Sequence, residues 1–311
     1  MIWLIGCNGM LGTEVSRQLK ENNIDFVGTD REVDFTDSNA VETFAAGKTI
    51  DFIINCAAYT AVDKAESDVE LCRKLNVKGP EVIAKFAKKT GAVLLHISTD
   101  YVFDGTGNTP RTEDMPIAPI GVYGVTKAEG EKAVSDNTDK YYILRTAWLY
   151  GWAGKNFVYT MIKAMNTHDA VKVVNDQKGS PTFAGDLAKV IIQLYANACK
   201  GTPVEYGIYH CTDLGEITWW DFTNEIKKQA IEAGYLKPRH SELVSESYCV
   251  VNPCTTEEYP TPAKRPAYSV LCKDKLQKAL GIELPDWKVS LGKYLKSELF
   301  NIDFLNSIIN G

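Results

Sequence analysis

Short apolar segments alternate with segments of helical spacing through the first half of the chain, and this alternation restricts the fold more than any other feature. Apolar runs without polar alternation, such as Phe52-Ile53-Ile54, indicate strands buried on both faces. Strands separated by helices are typical of a parallel sheet covered by helices on both faces. The candidate strands are 2–5, 26–29, 52–56, 93–97 and 142–144, and the candidate helices are 11–20, 40–46 and 69–90.

A glycine-rich turn lies between the first strand and the first helix, with glycines at Gly6, Gly9 and Gly12. Glycines at this spacing let the backbone turn tightly, approach a pyrophosphate and pack the helix on the strand. The helix N-terminus adds free N–H donors and the positive end of its dipole. Placed between a strand and a helix, the turn predicts a dinucleotide site in an α/β fold with a doubly wound, Rossmann-type parallel sheet.

Two residues at the end of the second strand bear on which dinucleotide binds. Asp30 is an acid at the position that usually binds the adenosine ribose 2′-hydroxyl of NAD, and the neighbouring Arg31 can accept the 2′-phosphate of NADP. The two signals conflict, and a solvated surface pair explains them equally well. NADPH and NADH therefore both stay open.

The second half of the chain has a different texture, because tryptophan and tyrosine become frequent and turns follow one another closely. Its candidate elements are strands at 171–174 and 208–211, a helix from about 185 and a helical part from about 273. We predict a dinucleotide-binding domain over 1–147 that also receives elements from about 166–195. Residues 148–311 are expected to form mainly a smaller, interleaved α/β substrate-binding domain, in which the role of 238–248 stays open.

A tyrosine and a lysine four residues apart, Tyr123 and Lys127, form a candidate catalytic pair. On a helix this spacing places both side chains on one face. Reduction of a ketone needs a proton donor at the carbonyl oxygen as hydride reaches the carbon. A tyrosine of ordinary pKa is a weak donor near neutrality, and an ammonium at ~4 Å supplies roughly the 4 kcal/mol that a shift of ~3 units requires. We expect Lys127 to lower the pKa of Tyr123 in this way.

A hydroxyl at the end of the fourth strand completes the pattern. Ser98 and Thr99 stand where doubly wound sheets bind ligands, outside the carboxyl ends of the strands, although a Ser-Thr pair by itself usually means a turn. The glycine turn, the strand-end hydroxyl and the Tyr/Lys pair occur in the right order at workable spacings. Together they favour a nicotinamide-dependent reductase with Thr99, Tyr123 and Lys127 as its catalytic residues.

Composition excludes several other classes of function. A formal net charge of −6 argues against a general nucleic-acid binder. The four histidines and eight cysteines show no metal-ligand spacing, so no metal site is expected. No apolar run approaches the roughly 20 residues that span a bilayer, and the chain starts on a strand with no room for a signal peptide. We therefore expect a cytoplasmic protein with reduced thiols.

Several longer strings resemble the extended short-chain dehydrogenase/reductase superfamily and, within it, the dTDP-4-dehydrorhamnose reductase family. The likeness covers nearly the whole chain and is carried by residues 55–66, 98–105, 123–127, 177–182 and 265–269. It implies reduction of the C4 keto group of a nucleotide-linked deoxysugar by NADPH or NADH. The closest implied reaction converts dTDP-4-dehydrorhamnose to dTDP-rhamnose.

The resemblance also implies roles for individual residues. Thr99 and Tyr123 would bind the C4 keto oxygen, with Tyr123 donating the proton and Lys127 supporting it. The residues that would line the cofactor are Gly6, Gly9, Met10, Leu11 and Gly12 at the pyrophosphate, Asp34 and Phe35 at the adenine, and Ala57, Ala58 and Tyr59 at its middle. Those that would contact the nucleotide-sugar are Phe103, Trp148, Asn156 and Arg265, the last beside the diphosphate. Core packing or loop anchoring explains each of these four as well.

Magnesium and dimer formation are further properties of the resembled family. Some of its members bind Mg²⁺ through glutamates at a dimer interface. The matching glutamates are not recognisable here, so the sequence does not support Mg²⁺, and a homodimer stays open.

Two other functions fit parts of the pattern. A sugar-nucleotide 4,6-dehydratase or 4-epimerase shares the superfamily, but a dehydratase needs a glutamate where Tyr101 follows Thr99-Asp100. The regulatory subunit of methionine adenosyltransferase resembles the same reductases and keeps an NADP site without catalysis. The intact set of Thr99, Tyr123 and Lys127 favours an enzyme.

Overall fold

The computed structural model describes residues 1–201, 204–241 and 244–300, and within 239–241 and 244–247 it describes the backbone alone. The strands are β1 (Ile2–Ile5), β2 (Phe26–Thr29), β3 (Phe52–Asn55), β4 (Val93–Thr99), β5 (Tyr141–Thr146), β6 (Leu149–Tyr150), β7 (Ala170–Val174), β8 (Lys178–Gly179), β9 (Thr182–Phe183), β10 (Gly207–His210), β11 (Ile217–Thr218), β12 (Arg239–Ser241), β13 (Val244–Ser247) and β14 (Val250–Cys254). The helices are α1 (Met10–Glu21), α2 (Ser38–Ala45), α3 (Val62–Ala65), α4 (Val69–Arg73), α5 (Gly79–Thr90), α6 (Val122–Asn137), α7 (Phe157–Thr167), α8 (Ala184–Cys199), α9 (Trp219–Glu232), α10 (Asp274–Leu280) and α11 (Trp287–Lys296). Within these ranges no helix is both long enough and apolar enough to cross a bilayer.

Six parallel strands form the central sheet in the order β10-β5-β4-β3-β1-β2. The chain changes direction across the sheet at β1, because β2 lies on one side of it and β3 on the other. In doubly wound sheets such a reversal opens a crevice at the carboxyl ends of the strands, where ligands bind. The predicted α/β class with a doubly wound parallel sheet is confirmed.

Side chains of the central strands alternate between two helical layers. Ile2 and Leu4 pack with α1 and α8, whereas Trp3 and Ile5 pack with α2 and α5. All four side chains are at most 1% exposed, as expected for a strand covered on both faces. Burial of each stabilises the sheet by about 1.5–3 kcal/mol before the entropic cost of ordering it.

The predicted helix over 69–90 forms a continuous helical segment with a wide turn in its middle. A π-helical stretch, Lys74–Lys78, joins α4 to α5. The wide turn buries Asn76, which is 1% exposed and binds the backbone N–H and C=O of Tyr59 through its side-chain amide. Wide turns of this kind are frequent at functional sites, and this one supports the loop after β3.

A second core, rich in aromatic side chains, lies between α7, α9 and α11. It contains Tyr150, Phe183, Phe222 and Tyr294, each at most 3% exposed. Other elements of this half of the chain join the first core, since β10 completes the central sheet and α8 and α10 pack beside it. In the stretch 166–195, which the sequence predicts to join the dinucleotide-binding domain, α8 packs in the core around the central sheet. β7 instead pairs with β14. The domain division at 147 stays a prediction.

Candidate active site

The glycine turn after β1 is too tightly packed to hold side chains at two of its glycines. Gly6 has a φ of +77°, and a Cβ there would lie 2.8 Å from the backbone N of Ala57. A Cβ on Gly12 would lie 2.0 Å from the carbonyl oxygen of Gly6, so glycine lets α1 sit directly on the turn. No described side chain caps α1 at Gly9. Its first N–H groups and its dipole therefore suit a phosphate, as a dinucleotide requires.

The loop after β3 lies against this turn. Asn55 ends the strand, and its Oδ1 accepts a hydrogen bond from Ala57 N at 3.1 Å. Tyr59 is 8% exposed, and its hydroxyl donates to Asp68 at 3.1 Å. The structure thus places the predicted middle segment, Ala57 to Tyr59, beside the predicted pyrophosphate turn.

The residues predicted for the adenosine end differ in exposure. Asp30 and the exposed Arg31 follow β2 directly. Asp34 is also exposed and forms an ion pair with Lys74 at 3.0 Å. Phe35, by contrast, is 7% exposed and packs in the core beneath α2 and α5. The contacts of these residues with a cofactor stay predictions.

Tyr123 and Thr99 meet at the carboxyl end of β4. Tyr123 stands in the first turn of α6, and the side chain of Thr99 lies close enough to its hydroxyl to lower the pKa of the phenol. Thr99 Oγ1 donates to Asp100 Oδ1 at 2.9 Å and accepts from Tyr101 N at 3.2 Å. The close approach of α6 to the end of β4 requires glycine at Gly124, because a Cβ there would lie 2.3 Å from the carbonyl oxygen of Tyr101. The two predicted hydroxyls are therefore brought together.

Lys127 lies deeper on the same helix and is 2% exposed. Its Nζ donates to the carbonyl oxygen of Ile97 at 2.6 Å and lies 3.4 Å from His96 Nε2. Burial lowers the pKa of Lys127 to about 8, and the carboxylate of Glu131 opposes this shift. The amine therefore titrates close to neutral pH.

The prediction that Lys127 lowers the pKa of Tyr123 is wrong for this arrangement. Burial is the largest influence and raises the pKa of Tyr123, opposed by the nearby side chain of Thr99. The charges that act most strongly on the phenol are those of Asp100 and Tyr101, which raise its pKa further. The physical reason is that Lys127 is bound to Ile97 and His96 rather than to the phenol.

Ser98, the other strand-end hydroxyl, belongs to a buried ionic network. It donates to Glu131, which also forms an ion pair with Arg145 at 2.7 Å between side chains that are 5% and 3% exposed. Successive strand residues point to opposite faces of a sheet. Thr99 alone therefore stays the candidate for binding a carbonyl oxygen.

Arg265 is linked to Tyr123 by the side chain of Tyr101, which contacts both. Its Nη1 donates to the Tyr101 hydroxyl at 3.1 Å, and its Nη2 pairs with Asp63 at 2.7 Å. The ring of Tyr101 packs edge-on against Tyr123, with 5.5 Å between ring centroids. The structure therefore places the predicted substrate arginine one residue away from the predicted proton donor.

The other three residues predicted to bind substrate already have structural partners. Phe103 is 2% exposed and packs in a small buried cluster. Asn156 is 8% exposed and caps α7 by accepting from Tyr159 N at 3.2 Å. Trp148 has a left-handed φ of +47° and stacks on Trp219 at 3.5 Å between centroids. Such backbone strain is typical of ligand-binding positions, but all three substrate roles stay predictions.

Three buried polar residues beside the site receive no role from the sequence analysis. Asn55 and His96 are each 1% exposed, and Asp100 is 2% exposed. Burial raises the pKa of Asp100 to about 6 and holds the pKa of His96 well below its usual value. The only signal for them in the sequence is their place in or next to strands that end at the crevice.

The doubly wound sheet, the glycine turn and the Thr99, Tyr123 and Lys127 set together define a protein of the short-chain dehydrogenase/reductase class. The model of the RmlD substrate binding domain family matches residues 1–300. The chain therefore belongs to that family.

Curated relatives and solved structures match this chain over nearly its full length. The dTDP-4-dehydrorhamnose reductase of Aggregatibacter actinomycetemcomitans is 39% identical over 294 residues, which are 93% of this chain and 96% of that protein. A crystal structure of a dTDP-4-dehydrorhamnose reductase from Clostridium acetobutylicum has 43% identity and a TM-score of 0.84, covering 98% of this chain and 99% of that one. That of Bacillus anthracis, in complex with NADP, has 33% identity and a TM-score of 0.84, covering 94% and 97%. The resemblance found in the sequence is confirmed.

Proposed function

We propose that the protein reduces the C4 keto group of dTDP-4-dehydrorhamnose to give dTDP-rhamnose, with NADPH as reductant. One observation carries the proposal: the hydroxyls of Tyr123 and Thr99 meet at the end of β4, in a chain whose relatives bear the name of that reductase. The relative from Bacillus anthracis is in complex with NADP, which favours NADPH here. NADH stays the alternative because Asp30 precedes Arg31.

The mechanism assigns a proton to Tyr123 and a hydrogen bond to Thr99. A reduced nicotinamide supplies the hydride when bound, and the glycine turn with Ala57, Ala58 and Tyr59 would hold its dinucleotide. Tyr123 donates its proton to the keto oxygen as negative charge develops there. Its raised pKa keeps the phenol protonated at neutral pH, so the acid is ready before the substrate binds. Lys127 would support the step as an ammonium that returns a proton to Tyr123 after the transfer, without a contact that lowers the pKa of the phenol.

The nucleotide-sugar would lie on the side of Tyr123 where Tyr101 and Arg265 lie. Arg265 can turn its planar guanidinium to a diphosphate and form paired, charge-assisted hydrogen bonds. Trp148, which has a strained backbone and a partly buried ring, would be a further contact of the nucleotide-sugar. Phe103 and Asn156 are both buried and would act by shaping the site.

We place the enzyme in the cytoplasm and propose a homodimer as its assembly. Light scattering with and without Mg²⁺ tests the assembly. Over the described residues, no three His, Cys, Asp or Glu side chains gather as a metal site would need.

A spectrophotometric assay tests the reaction. Purified protein is mixed with dTDP-4-dehydrorhamnose and either NADPH or NADH, and oxidation is followed while NMR identifies the sugar product. We expect sugar-dependent oxidation that yields one dTDP-rhamnose per NADPH consumed. Absence of oxidation, together with stoichiometric recovery of a methionine adenosyltransferase in a pull-down, would replace the proposal by the regulatory-subunit function.

A further inference from the structure

Three side chains behind Tyr123 form a hydrogen-bonded chain. Asn55 ends β3, His96 lies in β4 and Lys127 lies on α6, and each is at most 2% exposed. Asn55 Nδ2 lies 3.2 Å from His96 Nδ1, and His96 Nε2 lies 3.4 Å from Lys127 Nζ. The position of each proton along this chain follows from its two ends.

The first end is fixed by the backbone. Asn55 Oδ1 accepts from Ala57 N at 3.1 Å, which settles which side of the amide is oxygen. The amide NH₂ of Asn55 can only donate, so His96 Nδ1 accepts and carries no proton. A neutral imidazole carries one proton. That proton is therefore on Nε2 of His96, directed at Lys127.

The second end is the amine of Lys127. Burial is the largest influence on His96 and holds its pKa well below the usual value, so the ring is neutral. An ammonium has only donors and would oppose the Nε2–H of His96. A neutral amine satisfies both of its contacts, because it donates to the Ile97 carbonyl oxygen at 2.6 Å and accepts from His96.

We propose that Asn55 and His96 are positioning residues that lower the proton affinity of Lys127 by presenting the Nε2–H of His96 to its amine. The inference rests on the proposed function, in which Lys127 supports Tyr123. It makes both the ammonium and the amine of Lys127 accessible near neutral pH, as reversible proton uptake during turnover requires.

The other titratable groups around Lys127 act in the opposite direction. Glu131 on the same helix, Cys72 on α4 and Cys56 after β3 each raise its pKa. Glu131 is already paired with Arg145 at 2.7 Å, which weakens its influence. Burial lowers the pKa of Lys127, and the donor of His96 adds to that effect.

His210 offers an internal control, because its partners select the opposite tautomer. Its Nδ1 lies 3.1 Å from the carbonyl oxygen of Arg111, and its Nε2 lies 3.4 Å from Arg145 Nη1. A carbonyl only accepts and a guanidinium only donates, so the proton of His210 is on Nδ1. Both histidines are at most 1% exposed. Burial alone therefore cannot produce the difference.

¹⁵N NMR of imidazole-labelled protein tests the tautomers without cofactor or substrate. We expect Nε2–H for His96 and Nδ1–H for His210, with signals assigned through His96→Gln and His210→Gln. In Asn55→Asp the carboxylate can only accept, so His96 should change to Nδ1–H while His210 stays unchanged. A charged His96, or Nδ1–H in the unsubstituted protein, overturns the proposal even if no variant folds.

The titration of Lys127, followed by NMR of ¹³C-labelled lysine, tests the consequence. In Asn55→Asp the pKa of Lys127 should rise by about one unit, the scale of one hydrogen bond, and the basic limb of kcat against pH should rise with it. Asn55→Asp with His96→Leu carries the same added charge without the imidazole and should show a clearly smaller rise. His96→Gln keeps a relay of amide donors and should keep the low pKa.

The inference is contradicted if the pKa of Lys127 rises equally in Asn55→Asp and in Asn55→Asp with His96→Leu, or if it rises in neither. The two NMR measurements, of the histidine tautomers and of the lysine titration, do not depend on turnover. A protein that fails to reduce dTDP-4-dehydrorhamnose but shows the expected tautomers and lysine titration contradicts the proposed function alone.

Discussion

Asp100 is a buried carboxyl next to Thr99 whose charge costs stability at neutral pH. It is 2% exposed, and burial raises its pKa from 3.8 to about 6. Between these values the folded protein binds more protons at this group than the unfolded chain does. Its contribution to the free energy of unfolding is therefore full below about pH 4 and is lost as the pH rises through 6.

Replacement of this carboxyl should stabilise the protein at neutral pH. Asp100→Asn removes the buried charge, and two pKa units at 1.36 kcal/mol each give a gain of up to about 3 kcal/mol at pH 7.5. The gain should fade toward pH 4, where the carboxyl of Asp100 is neutral. Urea unfolding at both pH values measures the difference, and an equal gain at each pH would show that titration of Asp100 is not its cause.

Arg265→Lys should raise KM for the nucleotide-sugar by about tenfold, equivalent to 1.4 kcal/mol, while the affinity for NADPH stays unchanged. Lysine cannot reproduce the planar fork that donates to Tyr101 at 3.1 Å and to Asp63 at 2.7 Å. Asp63→Asn is the control, because it removes the ion pair and keeps the guanidinium. An unchanged KM in Arg265→Lys would leave the arginine as a loop anchor.

Side chains of the site differ in how far the sequence predicts them. Tyr123 and Lys127 are predictable because their spacing is local to one helix. Asn55 and His96 touch across neighbouring strands, and only the order of the sheet makes them neighbours. The raised pKa of Tyr123 also depends on burial, which no spacing along the chain expresses.

At the scale of elements, the close packing of α6 against the end of β4 holds the two hydroxyls together. Gly124→Ala adds a Cβ that would lie 2.3 Å from a backbone oxygen, so the helix must move. A shift of about 1 Å in reacting groups can cost 10²-fold in rate, and we expect kcat to fall by at least about tenfold. Steady-state kinetics with a measurement of Tm checks this outcome.

Gly292→Ala in α11 is the matched control for Gly124→Ala. The nearest atom to its added Cβ is Gln229 Oε1 at 3.1 Å, the end of a side chain rather than backbone, so a shift of a few tenths of an ångström relieves the contact. Alanine also favours a helix by about 1 kcal/mol over glycine. Gly292→Ala should therefore keep a normal kcat. An equal loss of kcat in Gly292→Ala and Gly124→Ala would show that the packing of α6 on β4 at Gly124 has no special role.

The lengths of elements show the same limit of local prediction. The predicted strands 2–5 and 26–29 match β1 and β2, because their ends are marked by glycine and by polar residues. The strand predicted over 93–97 continues to Thr99, since β4 keeps pairing with β5 up to Thr146. The wide turn at Lys74–Lys78 lies in a stretch with uninterrupted helical spacing, so only packing reveals it.

At the scale of the whole molecule, the central sheet is completed from the second half of the chain. The strand predicted near 208–211 pairs with β5 as β10, and this long-range pairing could not be predicted from local pattern. Leu187 and Ile191 of α8 and Leu276 of α10 fill the same core as β1 and β3. Side chains from both halves of the chain therefore build the core around the central sheet.

A fragment of residues 1–147 should fail to fold on its own. It lacks β10, α8 and α10, so it would expose the apolar side of the central sheet that these elements cover. Near-ultraviolet circular dichroism and titration with NADPH check the fragment against the full chain. A cooperative unfolding transition together with NADPH binding by the fragment would support an independent domain that ends at 147.

We propose that Tyr123 donates the proton in reduction of the keto sugar, a claim that single-turnover kinetics of Tyr123→Phe can test. The variant keeps the ring and loses the donor, so the rate of NADPH oxidation with dTDP-4-dehydrorhamnose should fall by about 10²–10⁴ with NADPH binding retained. Thr99→Val, which removes one hydrogen bond to the oxygen, should lower the rate less. Near-normal turnover by folded, NADPH-binding Tyr123→Phe would contradict the claim.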